Sequence, residues 1–119
     1  MHRPTVTNLL SRFAVRPESE LFEPLVCNDH VLFERIVSWG HATAPGLWFD
    51  QPRDEWVVLL AGAARLRFEG YDSCVELEPG DSLLIPAGCR HRVEWTAPDR
   101  ESVWLALHFR SSGQEPPRN

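Results

Sequence analysis

The stretch that most limits what this chain can become runs from Gly80 to His91: Gly80-Asp81-Ser82-Leu83-Leu84-Ile85-Pro86-Ala87-Gly88-Cys89-Arg90-His91. A turn glycine opens a short apolar run, and a proline and a glycine then set a tight reversal. The reversal delivers one histidine to the start of the next apolar segment. Such an arrangement aims a single imidazole at the interior of a β-barrel, and imidazole is the commonest protein metal ligand.

The surrounding pattern agrees with a barrel. Short strand candidates occur at about 21–26, 31–39, 46–50, 55–61, 63–68, 73–77, 82–85, 90–95 and 102–109. Turn signals separate them, among them Ala44-Pro45-Gly46, Gln51-Pro52-Arg53-Asp54, Glu69-Gly70-Tyr71-Asp72 and Glu78-Pro79-Gly80. Many closely spaced short strands without a long helical period argue for an antiparallel sandwich or barrel. In 64–69, Ala64, Leu66 and Phe68 alternate with Arg65, Arg67 and Glu69, so one face is buried and the other wet. In 90–95 the same alternation puts His91, Val93 and Trp95 inside, and Arg90, Arg92 and Glu94 outside.

Two segments, Trp56–Ala61 and Val103–Phe109, are apolar on both parities. Part of the outer barrel is therefore expected to be covered, by the N-terminal arm or by a second copy in a homodimer. Residues 1–20 read as that arm, 21–110 as the barrel, and the polar, proline-rich 111–119 as a disordered tail.

Composition narrows the function classes. With 119 residues the chain supports one domain with its own core. Its net charge of −5 and scattered arginines argue against a nucleic-acid partner. All twelve basic residues are arginine, which excludes a Schiff-base lysine or a lysine general base. Cys27, Cys74 and Cys89 form no CxxC pair, so neither a disulfide framework nor a thiolate zinc site is indicated. No run approaches a membrane span, and Met1-His2-Arg3-Pro4 lacks the apolar core of a secretory signal, so the expected compartment is the cytoplasm.

These residues carry a resemblance. The chain resembles a small single-domain cupin, a double-stranded β-helix or jelly-roll barrel, over roughly residues 30–110. The second cupin motif, G-x5-P-x-G-x2-H-x3-N, is matched by Gly80, Pro86, Gly88 and His91, with Trp95 at its last position. The first motif, G-x5-H-x-H-x3/4-E-x6-G, is matched by Glu55 and Gly62, with Thr43 at the opening glycine. The resemblance implies an all-β barrel and a divalent-metal site built from two first-motif histidines, the motif glutamate and the second-motif histidine. Here the two first-motif histidine positions fall on Phe49 and Gln51, or on Trp48 and Asp50 if the spacing is one residue longer.

The expected site is accordingly a cluster of Gln51, Glu55 and His91, with His41 and His108 as further candidates. Such mixed N/O ligation suits zinc, iron, manganese or nickel without choosing among them. Alternatively Gln51, Glu55 and His91 bond to one another as a polar patch that needs no metal. Phe49, Trp95 and Trp48 would give the barrel mouth an aromatic pocket for a small organic molecule. The function expected is small-molecule binding with an atypical metal site; the alternative is a metal-dependent dioxygenase or isomerase.

Overall fold

A computed structural model describes residues 3–110, so the tail expected over 111–119 lies outside the described residues. Eight strands follow in order: β1 (Leu21–Cys27), β2 (Val31–Ser38), β3 (Asp54–Ala61), β4 (Ala64–Phe68), β5 (Val75–Leu77), β6 (Ser82–Ile85), β7 (His91–Thr96) and β8 (Ser102–Phe109). All pairings are antiparallel, in a five-stranded sheet of order β1-β2-β8-β3-β6 and a three-stranded sheet of order β5-β4-β7. The fold is the all-β jelly-roll barrel expected. Among the described residues no helix is long and apolar enough to cross a membrane.

The core lies between the two sheets, where inward residues of each interleave. Val57 and Leu59 of β3, Trp104 of β8 and Ile85 of β6 meet Ala64 and Leu66 of β4 and Leu77 of β5. Leu59 is fully buried, which is worth about 1.5–3 kcal/mol for a leucine side chain. The period-2 pattern dictates this: on β3 Glu55, Val57 and Leu59 turn in while Trp56 turns out.

One strand expectation fails. Residues 46–50 form no strand and make a single bridge, Phe49 with His91. The Arg92 guanidinium instead donates to the carbonyls of Thr43, Ala44 and Leu47, at 2.8, 3.3 and 3.2 Å. Of these acceptors Leu47 O belongs to the segment, and a side chain rather than a strand satisfies it.

The arm covers only part of the outer face. Ser11 O accepts from Arg35 Nη2 at 2.8 Å, the Phe13 ring lies 5.9 Å from the Arg35 guanidinium carbon, and Arg16 Nε donates to Trp39 O at 2.6 Å. Arg35 and Val37, on the outward parity of β2, are thereby buried. Further along the strands the outer face is bare. Val26, Phe33, Leu107, Trp56 and Leu84 are successive cross-strand partners, and they form one apolar stripe across all five strands. Val26, Trp56 and Leu84 are exposed.

Candidate functional site

His91 reaches the barrel interior for the reason its turn suggested. Pro86 O accepts from Cys89 N at 3.1 Å, and Gly88 holds a φ of +74°, a left-handed backbone that suits glycine. Two further bonds pin the turn to the start of β3 and the segment before it: Gly88 N donates to Gln51 O, and Ala87 N to Asp54 Oδ1, both at 2.9 Å. The backbones of His91 and Phe49 exchange two hydrogen bonds. The two half-motifs are therefore tied together by main-chain contacts at the mouth.

Behind the mouth lies a chamber of about 70 Å³. Its walls are apolar, with Ile36, Val57, Leu66, Ile85, Val93 and Trp104, and the aromatic rings of Phe22 and Phe49 reach out to solvent at its rim. Its polar groups form a row. Glu55 Oε1 stands 3.4 Å from His91 Nε2, Glu55 Oε2 stands 3.9 Å from His108 Nε2, and Glu34 Oε1 stands 3.4 Å from His108 Nε2. The four side chains come from β3, β7, β8 and β2, and Glu34, Glu55, His91 and His108 are 9, 9, 5 and 5% exposed.

The hydrogen bonds orient the rings. His91 Nδ1 donates to the carbonyl of Cys89 at 2.9 Å, and His108 Nδ1 donates to Gln51 Oε1 at 2.9 Å. A carbonyl oxygen only accepts, so each Nδ1 carries the proton and each neutral ring turns a bare Nε2 lone pair to the row. Two atoms of the row, Glu55 Oε1 and His108 Nε2, are buried with no hydrogen-bond partner. Burial favours neutral His91, but its contact with Glu55, the Cys89 carbonyl and the Glu55 charge outweigh burial, so His91 titrates above its ordinary value. Glu20, at the end of the arm, also lines the chamber. Burial raises its carboxyl pKa, against the Ser38 hydroxyl that donates to it and the nearby His41, and with the charge of Glu34.

The structure thus brings together Gln51, Glu55, His91, His108 and Phe49. Gln51 bonds His108 rather than Glu55, so the self-satisfied Gln51/Glu55/His91 patch is not formed. Three other sequence candidates stand outside. His41 latches the arm: its Nδ1 accepts from Trp39 N at 2.9 Å, and its Nε2 faces the carbonyls of Pro17 and Glu18 at 3.1 and 3.2 Å. Trp48 lies under Arg90 and Arg92, with guanidinium carbons 6.0 and 5.8 Å from its ring. Trp95 is turned outward by a β-bulge. Val93 pairs with Leu66 but Trp95 with Arg65, so Glu94 is an extra residue and the alternation reverses. Trp95 then carries the Arg65 guanidinium 4.5 Å above its ring.

Sequence reasoning missed Glu34, Glu20, Phe22 and Trp104. A signal for Glu34 existed, a carboxylate on the parity of Leu32 and Ile36. Arg35 gives the opposite parity the same signal, so the alternation alone does not choose.

A cupin-domain family model matches residues 40–108, more than half of the chain. The chain is a cupin. A candidate mannose-6-phosphate isomerase from Ralstonia eutropha is 42% identical, covering 91% of this chain and all of that one, with a TM-score of 0.86. The DMSP lyase DddQ of Ruegeria pomeroyi is 25% identical over 76% of this chain and 43% of its own, with a TM-score of 0.57. A cupin with a double-stranded β-helix fold from Methanocaldococcus jannaschii is 14% identical over 82% of this chain and 86% of its own, with a TM-score of 0.65, a likeness of fold. No curated protein matches the chain significantly.

Cupins commonly bind divalent metals. The donors of this chamber suit such an ion in kind, with imidazole nitrogens, a carboxylate and two orphaned lone-pair atoms. Their arrangement is open: among the described residues no three His, Cys, Asp or Glu side chains close around one point as a finished metal centre does. Glu55, His91 and His108 are the side chains that would hold an ion, which would supply Lewis-acid chemistry there.

Proposed function

We propose that this cupin binds a small organic molecule at the barrel mouth, with one end of the molecule in the chamber. The supporting observation is the chamber itself: apolar walls, exposed aromatic rims at Phe22 and Phe49, and one convergent polar row. At about 70 Å³ the chamber is far smaller than the roughly 300–1,000 Å³ of pockets that enclose drug-sized ligands. A ligand therefore inserts its functional end and leaves the rest between the rims. The Ralstonia relative directs the first trials to sugars and their phosphates, with any phosphate left outside the chamber, away from its carboxylates.

A thermal-shift screen of such molecules against metal-free protein tests the reading. A true ligand raises the melting temperature of the wild type and does so at least tenfold more weakly for Phe49→Ala and His91→Ala. Stabilisation equal in all three proteins, or none from any compact molecule tried, defeats the proposal.

The orphaned Glu55 Oε1 and His108 Nε2 favour one second reading, a metal-dependent cupin isomerase or oxygenase. Its test is metal content after divalent ions are supplied. Absence of stoichiometric metal, with His91→Ala indistinguishable from wild type, rejects it.

We also propose that the bare stripe from Val26 to Leu84 pairs two copies of the chain. An exposed apolar stripe of this kind suits a two-fold dimer.

A further inference from the structure

A second hollow, of about 290 Å³, lies between the arm and the end of the barrel away from the mouth. β3 runs from Asp54, bonded to the mouth turn, to Ala61, which lines this hollow. Leu10, Arg12 and Phe13 of the arm form one side of it, and Asp99, Arg100 and Glu101, just ahead of β8, form the other. Its volume lies close to the roughly 300 Å³ at which small-molecule pockets begin.

The charged lining is balanced, Arg12 and Arg100 against Asp99 and Glu101, and each sign has capacity to spare. Among the described residues Arg100 pairs with Asp99 at 2.8 Å, an exposed pair of the weak kind, and the exposed Arg12 has no ion-pair partner. Glu101 uses one oxygen. Its Oε1 accepts from Phe13 N of the arm, while its Oε2 is buried with no hydrogen-bond partner. A carboxylate oxygen shut from water without a donor is costly, and a donor that reaches it removes that cost. Leu10, Phe13, Trp39 and Val103 give the same hollow an apolar side, and Leu10 is half-exposed.

We propose that this hollow is a site for a free α-amino acid with an apolar side chain. The carboxylate of the amino acid meets Arg12 and Arg100, whose planar guanidinium groups match a carboxylate. Its ammonium supplies the donor that Glu101 Oε2 lacks, and its side chain covers Leu10, Phe13 and Trp39. An acid alone would leave Glu101 unmatched and set a further negative charge beside two carboxylates. An amine alone would leave Arg12 unmatched. A zwitterion answers both and keeps the lining in balance. Because Oε2 is shut in, the arm eases outward as the ammonium enters. Few bonds hold the arm here: Ser11 O to Arg35 Nη2, Phe13 N to Glu101 Oε1, and Arg16 Nε to Trp39 O. The hollow is separate from the chamber, and its ligand does not depend on what the chamber binds.

The full chain is titrated by calorimetry with L-leucine and L-phenylalanine, and with the two halves of leucine's chemistry, 3-methylbutylamine and 4-methylpentanoate. Nitrogen-15 spectra locate the binding: the Trp39 indole N–H reports on the hollow, and the His91 ring on the chamber. One amino acid per chain should bind and move the Trp39 signal while the His91 ring stays in place. The amine and the acid should each bind at least tenfold more weakly. Arg12→Ala removes an exposed side chain with no ion-pair partner among the described residues, and should weaken the amino acid at least tenfold. Glu101→Gln keeps an oxygen for Phe13 N but turns the other atom into a donor, and should weaken it as much. The exposed arm control Arg3→Ala should change nothing. Should Glu101→Gln fail to fold, Arg12→Ala decides. An amine or acid that binds as tightly as the amino acid overturns the inference, as does unchanged affinity in the variants or no binding by either amino acid. A shift of the His91 ring with the Trp39 signal unmoved puts the ligand in the chamber, so the inference falls while the reading of the mouth stands.

Discussion

Gly62 closes the first half-motif, and its replacement by alanine probes how tightly that motif is bound to the fold. Its φ is +87°, in the left-handed region, which costs an alanine about 1–2 kcal/mol. A Cβ there would also stand 2.6 Å from Glu101 O and 2.6 Å from Ser102 Cα, both backbone atoms that cannot swing aside. Forcing extra carbon into such a space costs about 1–3 kcal/mol. The Ser102 hydroxyl is in the way as well, and it donates to Ala63 O at 3.0 Å and accepts from Ala63 N at 3.2 Å. Displacing it puts two bonds of about 1 kcal/mol each at risk. Gly62→Ala is therefore expected to lose at least about 3 kcal/mol, a large share of the roughly 5–15 kcal/mol that holds a domain together. Gly70 is the matched control, with a φ of +92° and open space, no atom within 4 Å, where a Cβ would stand. Gly70→Ala should lose only the backbone share, about 1–2 kcal/mol. Urea unfolding of the three proteins, with equal slopes, gives both differences. Equal losses for the two variants would show that the close approach to Ser102 is not what this glycine serves.

Two more expectations concern the site and the outer face. Because His91 titrates above its ordinary value in the folded protein, its imidazolium contributes stability that is full below pH 6.5 and is lost as pH rises through the folded-state value. The stability advantage of metal-free wild type over His91→Asn should accordingly shrink as pH rises above 6.5, and an advantage that grows instead refutes the assignment. Sedimentation equilibrium should give a dimer mass for the wild type and a monomer mass for Trp56→Glu, since Trp56 sits mid-stripe between Leu84 and Leu107. A monomeric wild type, or a variant that remains dimeric, removes this face from the interface.

Much of the architecture was legible because its determinants are local. Alternation is a property of neighbours along one strand, so Glu55, Val57 and Leu59 could be placed on one face from their spacing alone. The turn from Pro86 to Cys89 is equally local, and with it the inward aim of His91. The expected strand at 46–50 is reduced to one bridge, and the side chain of Arg92, distant in sequence, takes the Leu47 carbonyl and the carbonyls of Thr43 and Ala44 just before it.

The composition of the site is a matter of which strands are neighbours. His108 meets Glu55 because β8 pairs with β3, and Glu34 meets His108 because β2 pairs with β8 on the other side. No spacing within a segment carries that information, since the pairings join residues far apart in the chain. Trp95 shows the limit most plainly. Its parity with His91 is correct as counted, and one extra residue, Glu94, turns it out to solvent beneath Arg65. By itself the sequence determined a barrel and the direction of one imidazole. Only the tertiary structure decided that His108 and Glu34 join His91 and Glu55 in one row, because long-range strand pairing, not local alternation, brings those side chains together.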